Sequence, residues 1–260
     1  MDTGLAERVV LVTGGSSGIG AAVAEAYGRE GARVALTYRK EEQAAAAVAD
    51  RIRLAGAAAL TVPMELEDLD SVTAAVATVE ATWGRVDVLV ANAVRWGGTA
   101  PDPTVRFEDV PVEEWRAMLG ANVVGAVAAV RAVLPGMRTR GWGRIVLISS
   151  GVAEEGRPGP GPYGTAKSAL HGLARALAWE GGRDGVLTNV VAPGLTPTAD
   201  RRPPAALTDR LAASVPSRRL SGPDEVARLV VFLGSGANGN VTGELVRDGS
   251  STARAPYVGG

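Results

Sequence analysis

Tyr163 and Lys167 stand four positions apart in the stretch PYGTAKSALHG, residues 162–172. On a helix that spacing sets both side chains on one face. The chain has four tyrosines and two lysines, Lys40 and Lys167, beside twenty-five arginines, so a lysine one turn after a tyrosine invites a chemical reading. A phenol ordinarily holds its proton up to about pH 10. A neighbouring ammonium favours the phenolate and brings proton exchange closer to neutrality. The pair therefore reads as a proton donor, Tyr163, tuned by Lys167, whose compact ammonium also suits a ribose hydroxyl better than a planar guanidinium would. The bland alternative is two residues on a polar helix face.

The elements needed to position such a pair are legible. VVLVTGGSSGIGAAVAEAYG runs from an apolar strand through Gly14, Gly15, Gly18 and Gly20 into a helix. Glycines permit a tight turn and let backbone N–H groups approach a pyrophosphate at the helix's positive end. Apolar runs of strand length recur at 8–13, 33–38, 58–63, 86–92, 144–149 and 187–193, with a weaker one in GELVRDG. Strands apolar on both faces belong to a parallel sheet covered on both sides. Helical segments alternate with them, including one over 112–134, so residues 1–260 read as a single doubly wound Rossmann α/β domain with a mostly parallel, seven-stranded sheet. Ser150 then ends the fifth strand, at the sheet edge where ligands bind in such folds. Ser149 beside it points the opposite way along the strand. Proline and glycine concentrate at 156–164 and over 193–223, and the second stretch suggests a mobile lid at about 195–220.

Composition narrows the chemistry. With 46% hydrophobic residues and a formal net charge of −1, the chain can bury a sizeable core and carries no electrostatic footprint for nucleic acid or an anionic membrane. No cysteine and a single histidine, His171, leave no thiolate metal site and little for an imidazole cluster, so no metal is expected. The first ten residues lack a signal peptide's pattern, and no apolar run approaches the ~18 residues of a membrane span, which suggests a cytoplasmic protein.

Taken together, Thr13, Gly14, Gly18 and Gly20, an Asn-Ala pair closing the fourth strand, and a Ser followed thirteen residues later by Tyr-x-x-x-Lys resemble the short-chain dehydrogenase/reductase family. The match spans almost the whole chain, through NVVAPG to the terminal DGS. The resemblance implies a catalytic set of Asn122, Ser150, Tyr163 and Lys167: Ser150 holds the substrate carbonyl beside the Tyr163 proton, and Asn122 kinks a helix and anchors a water relay to the lysine. A mid-helix Asn can equally bond only locally. It also implies cofactor contacts from Thr13, Gly14, Ser16, Ser17, Gly18, Ile19, Gly20, Arg39, Asn92, Tyr163, Lys167, Pro193, Gly194 and Thr198. Two positions depart from the pattern. Residues 91–94 read ANAV where the family has N-N-A-G, and Glu65 and Leu66 occupy the place of an adenine-binding Asp.

The second strand closes on Thr37, Tyr38, Arg39 and Lys40, with no carboxylate to hold a ribose 2′-hydroxyl and repel a phosphate. NADPH is thus expected ahead of NADH, with Arg39 on the 2′-phosphate; the alternative pairs Arg39 and Lys40 with Glu41 and Glu42. Val94, Trp96, Ser150 and Tyr163 are the expected substrate contacts, Trp96 as an aromatic able to stack on a flat molecule. Trp83, Trp115 and Trp179 read as packing. The expected activity is reduction of a small-molecule ketone, foremost by a ketoreductase tailoring a polycyclic, angucycline-type aromatic polyketide. A β-ketoacyl thioester reductase, a sugar or steroid alcohol dehydrogenase, and a non-catalytic cofactor-binding protein stay open. Arg138, Arg140 and Arg144 are the nearest approach to a basic patch for an acyl carrier. Family resemblance adds a homodimer or homotetramer through the fourth and fifth helices.

Overall fold

A computed structural model describes residues 2–96, 104–156, 161–200 and 202–249. Chain order runs β1 Val9–Val12, α1 Gly18–Arg29, β2 Arg33–Tyr38, α2 Glu42–Leu54, β3 Ala59–Pro63, α3 Leu69–Trp83 and β4 Val88–Ala91. It continues with α4 Val112–Leu119, a π-helical turn Gly120–Val124, α5 Gly125–Thr139, β5 Gly143–Ile148, a short α6 Val152–Glu155 and α7 Gly161–Gly181. The last elements are β6 Val186–Ala192, α8 Ala205–Ser214, α9 Pro223–Leu233 and β7 Leu245–Arg247.

Seven strands lie in the order β3-β2-β1-β4-β5-β6-β7, every neighbouring pair parallel. Alternation along each strand feeds two cores. In β1, Val9 and Leu11 join the layer made with α3, α5 and α7, whereas Val10 and Val12 join that of α1, α2 and α9. Ile145 and Leu147 in β5 divide from Val146 and Ile148 in the same way. Burial on both faces is why these strands read as unbroken apolar runs.

Strand order reverses between β1 and β4, and that reversal opens a crevice at the strands' C-terminal ends. The segment 193–223, read from sequence as a lid, contains the helix α8 and leads into α9. Among the described residues one helical run, Val112–Thr139, is long and apolar enough to cross a membrane, which corrects the expectation that none is. Here it packs against α3 and α7. Trp179, expected to pack, is 89% exposed on α7. The candidate basic patch does not form either: Arg144 is buried against Trp142 and donates to the carbonyls of Ser235 and Asn238, while Arg138 faces Asp184 and Arg140 faces Asp87.

Candidate active site

The turn after β1 is built around Thr13. Its hydroxyl donates to the Val90 carbonyl and accepts from the backbone N–H groups of Asn92 and Ala93, both at 3.0 Å, stitching β1 to β4 where they part. Asn92 spends its amide on the carbonyls of Thr13 and Gly14, each at 3.0 Å, so it braces the glycine turn from beneath. Gly14 has φ +65°, and its N–H donates to the Thr37 hydroxyl at 2.9 Å, a support absent from the sequence reading. A Cβ on Gly20 would fall 2.1 Å from the Gly14 carbonyl oxygen. Such closeness between turn and helix needs glycine. Ser17 caps α1 without spending its side chain there, Ser16 is half-buried, and Ile19 packs on the core below. A nicotinamide dinucleotide fits this donor set, and the backbone N–H groups at the N-terminus of α1 would hold its pyrophosphate.

Around that crevice, Arg39 lies 3.9 Å from the Glu65 carboxylate. Leu66 packs on the core, and its carbonyl sits against Gly125. Thr198 reaches over the glycine turn, its methyl 3.7 Å from where a Gly18 Cβ would stand. Pro193 accepts from the Gly151 N–H at 2.8 Å, and the Gly194 N–H donates to Asp248 at 2.9 Å, fixing the entry to the 193–223 segment.

The candidate catalytic residues meet on the other side. Lys167 is buried, and its ammonium donates to the Ile148 carbonyl at 2.9 Å, two residues before Ser150. Burial lowers its pKa to about 8, so the ammonium persists at neutral pH. The same ammonium stands 5.9 Å from the centre of the Tyr163 ring. Ser150 accepts from the Val152 N–H at 3.3 Å, which leaves its hydroxyl proton for another acceptor.

Asn122 occupies the π-helical turn, where a widened helix exposes its amide to a neighbouring loop. Its Oδ1 accepts from the Arg95 N–H at 3.0 Å, and its Nδ2 donates to the Arg95 carbonyl at 3.1 Å and also to Met118. Arg95 is further held by Glu67 at 2.6 Å and Glu114 at 3.7 Å. Those restraints aim the next residue, Trp96, whose indole stacks on Tyr163 with centroids 5.1 Å apart and planes 21° apart. Val94 is half-buried in the same loop. Trp115, read as packing, contacts Phe107 at 5.4 Å and also lies against Gly161, two residues before Tyr163. Residues 157–160, within the proline- and glycine-rich stretch 156–164, lie outside the described residues. So does Arg201 of the 195–220 segment.

A parallel doubly wound sheet with a glycine turn at its switch point, and a serine, tyrosine and lysine gathered at the ends of β5 and α7, define an oxidoreductase of the dinucleotide-binding class. The chain belongs to the short chain dehydrogenase family, whose model matches residues 8–205. It is therefore an NAD(P)-dependent enzyme acting on hydroxyl or carbonyl groups. An acetoacetyl-CoA reductase of Rhizobium meliloti is 38% identical over 244 residues, 92% of this chain and 95% of that protein. The short-chain reductase protein NovJ of Streptomyces niveus is 39% identical over 248 residues, 92% of each. Among solved structures, a blue fluorescent protein from a metagenomic library in complex with NADPH superposes with a TM-score of 0.87 at 31% identity, over 96% of this chain and all of that one.

Proposed function

We propose that this enzyme is an NADPH-dependent ketoreductase whose substrate carries its carbonyl on or beside a flat ring system, as a polycyclic aromatic polyketide does. The observation that carries this reading is the Trp96 indole lying on the ring of Tyr163. An aromatic face next to the proton donor offers a planar substrate offset stacking worth about 0.5–1.5 kcal/mol beyond simple burial. A short acyl chain gains little from it. NovJ, a reductase from a streptomycete, agrees with such a setting. The acetoacetyl-CoA reductase favours a second reading, reduction of β-ketoacyl thioesters by the same residues.

When bound, the dihydronicotinamide supplies a hydride to the carbonyl carbon. Ser150 donates a hydrogen bond to the carbonyl oxygen and orients it. Tyr163 delivers its proton to that oxygen as the alkoxide forms. Lys167 steadies the resulting phenolate by charge, and Asn122 holds the loop that carries Trp96. NADPH is favoured by a β2 end without a carboxylate and by the free Ser17 side chain. Glu65 competes for Arg39.

The test is NADPH oxidation against polycyclic aromatic ketones, simple ketones and β-ketoacyl thioesters, with Tyr163→Phe and Trp96→Ala as variants. Tyr163→Phe should lose at least 100-fold in kcat while still binding NADPH. Trp96→Ala should reduce kcat/KM about tenfold for ring ketones and leave thioesters within twofold. Turnover confined to thioesters would replace the first reading with the second.

A further inference from the structure

Behind the catalytic pair lies a buried contact that the reaction itself does not use. Ser149 is 4% exposed, and its hydroxyl donates to the Lys167 carbonyl at 3.0 Å and meets His171 Nε2 at 2.8 Å. A serine hydroxyl has one proton. With that proton on the Lys167 carbonyl, the contact with His171 is made by an Nε2–H donating to the serine oxygen. Protonating the ring adds a proton at Nδ1 and leaves this donor in place.

We infer that Ser149 and His171 form a positioning bridge that locks the first turns of α7 to the end of β5, and so sets Tyr163 and Lys167 against Ser150. The two partners are placed for this. Ser149 directly precedes Ser150 in the chain, and the carbonyl it holds is that of Lys167 itself. Tyr163 sits one turn before Lys167, and His171 one turn after it. The bridge joins two other tethers of the same turns: the Lys167 ammonium on the Ile148 carbonyl, and the Ser168 hydroxyl on the Ala153 carbonyl at 2.7 Å. Around the imidazole stand Glu154 from α6, ion-paired with Arg247 from β7, and Arg175 from α7. Burial, with Arg175 and Arg247, keeps the ring's pKa below its usual value against the pull of Glu154. Neutral His171 therefore serves as a fixed donor at physiological pH. A displacement of about 1 Å at reacting groups can cost as much as 100-fold in rate, which is how a contact remote from the substrate governs turnover.

The experiment compares Ser149→Ala, His171→Leu and His171→Gln, the last keeping an N–H donor on a side chain of similar reach. Turnover is measured with NADPH and both acetoacetyl-CoA and a bicyclic aromatic ketone. Independently of any substrate, ionisation of Tyr163 is followed by ultraviolet difference titration, each variant against the same variant carrying Tyr163→Phe. Ser149→Ala and His171→Leu should each lower kcat about tenfold with KM for NADPH within twofold, and should move Tyr163 ionisation to higher pH. The double variant should fall no further than either single one, and His171→Gln should recover at least half of kcat and the wild-type titration. A Tyr163 titration unchanged in both disrupting variants would overturn the bridge whether or not either substrate is turned over. Equal losses in His171→Gln and His171→Leu, tracking equal drops in melting temperature, would do so too.

Discussion

The residues proposed for chemistry stand out by type and spacing: a tyrosine, a lysine one turn on, and a serine at a strand end. Residues whose job is support do not. Asn92 was read as a cofactor contact, and the fold adds a bracing role that no spacing announces: both its amide hydrogens go to backbone carbonyls of the glycine turn. His171 was legible only as too few imidazoles for a metal cluster, because its partner lies 22 positions away. Lys167 carries a measurable consequence. Its pKa is lowered from 10.5 to about 8 by burial, so between those values the unfolded chain binds more protons than the folded one. Stability on this account rises with pH across that window, and the full cost of burying the ammonium is present below about pH 8. Lys167→Met removes the ionisation. Urea unfolding of the two proteins from pH 8 to 10 should show the wild type gaining about 2 kcal/mol relative to the variant. Parallel curves would mean that the ammonium is better solvated than its surroundings indicate.

At the scale of elements, both-face burial made the strands legible: β2 occupies residues 33–38 as read, and β5 is displaced by one residue. Helix details were less accessible. The helical segment read over 112–134 extends to Thr139, because Pro135 lies on the exposed side of α5 where its missing N–H and ring are tolerated. The π-turn at Asn122 left no propensity signal; it answers to Arg95, a loop residue distant in sequence. Prolines concealed α8 in the same way, since the one before it at 204 fits a helix start as well as a loop. Glycine shows how element packing sets the sign of a substitution. Gly20→Ala would drive a methyl into the Gly14 carbonyl and to 2.5 Å from the Asn92 amide, so NADPH affinity should fall more than tenfold and stability by about 1–3 kcal/mol. Gly172→Ala, on an exposed helical position with nothing within 4 Å of the new methyl, should instead stabilise by roughly 0.5–1 kcal/mol. Calorimetry with a cofactor titration checks both, and equal effects at the two sites would contradict the tight turn.

Across the whole molecule the sheet divides its labour end from end. Groups proposed for chemistry gather where the strands finish. At the opposite end Asp87, fully buried, accepts from the Val9 N–H at 3.0 Å and from Arg85 at 2.8 Å, and lies 3.7 Å from both Arg8 and Arg140. Three guanidiniums thus converge on one carboxylate that ties the starts of β1 and β4 together. Removing a buried partner costs about 3–5 kcal/mol, but these arginines keep partial contact with water and can turn outward, which lowers the expectation to about 2–3 kcal/mol. In a chain of this size that corresponds to a fall of roughly 5–10 °C in Tm for Asp87→Ala. Because the lesion lies a full strand length from the glycine turn, affinity for NADPH and kcat below the transition should stay within twofold of wild type. Gly20→Ala has the opposite profile, with binding lost first. Scanning calorimetry beside a cofactor titration on both variants tests the division directly. A loss of NADPH binding in Asp87→Ala at temperatures where the protein remains folded would show that the two ends of the sheet are coupled.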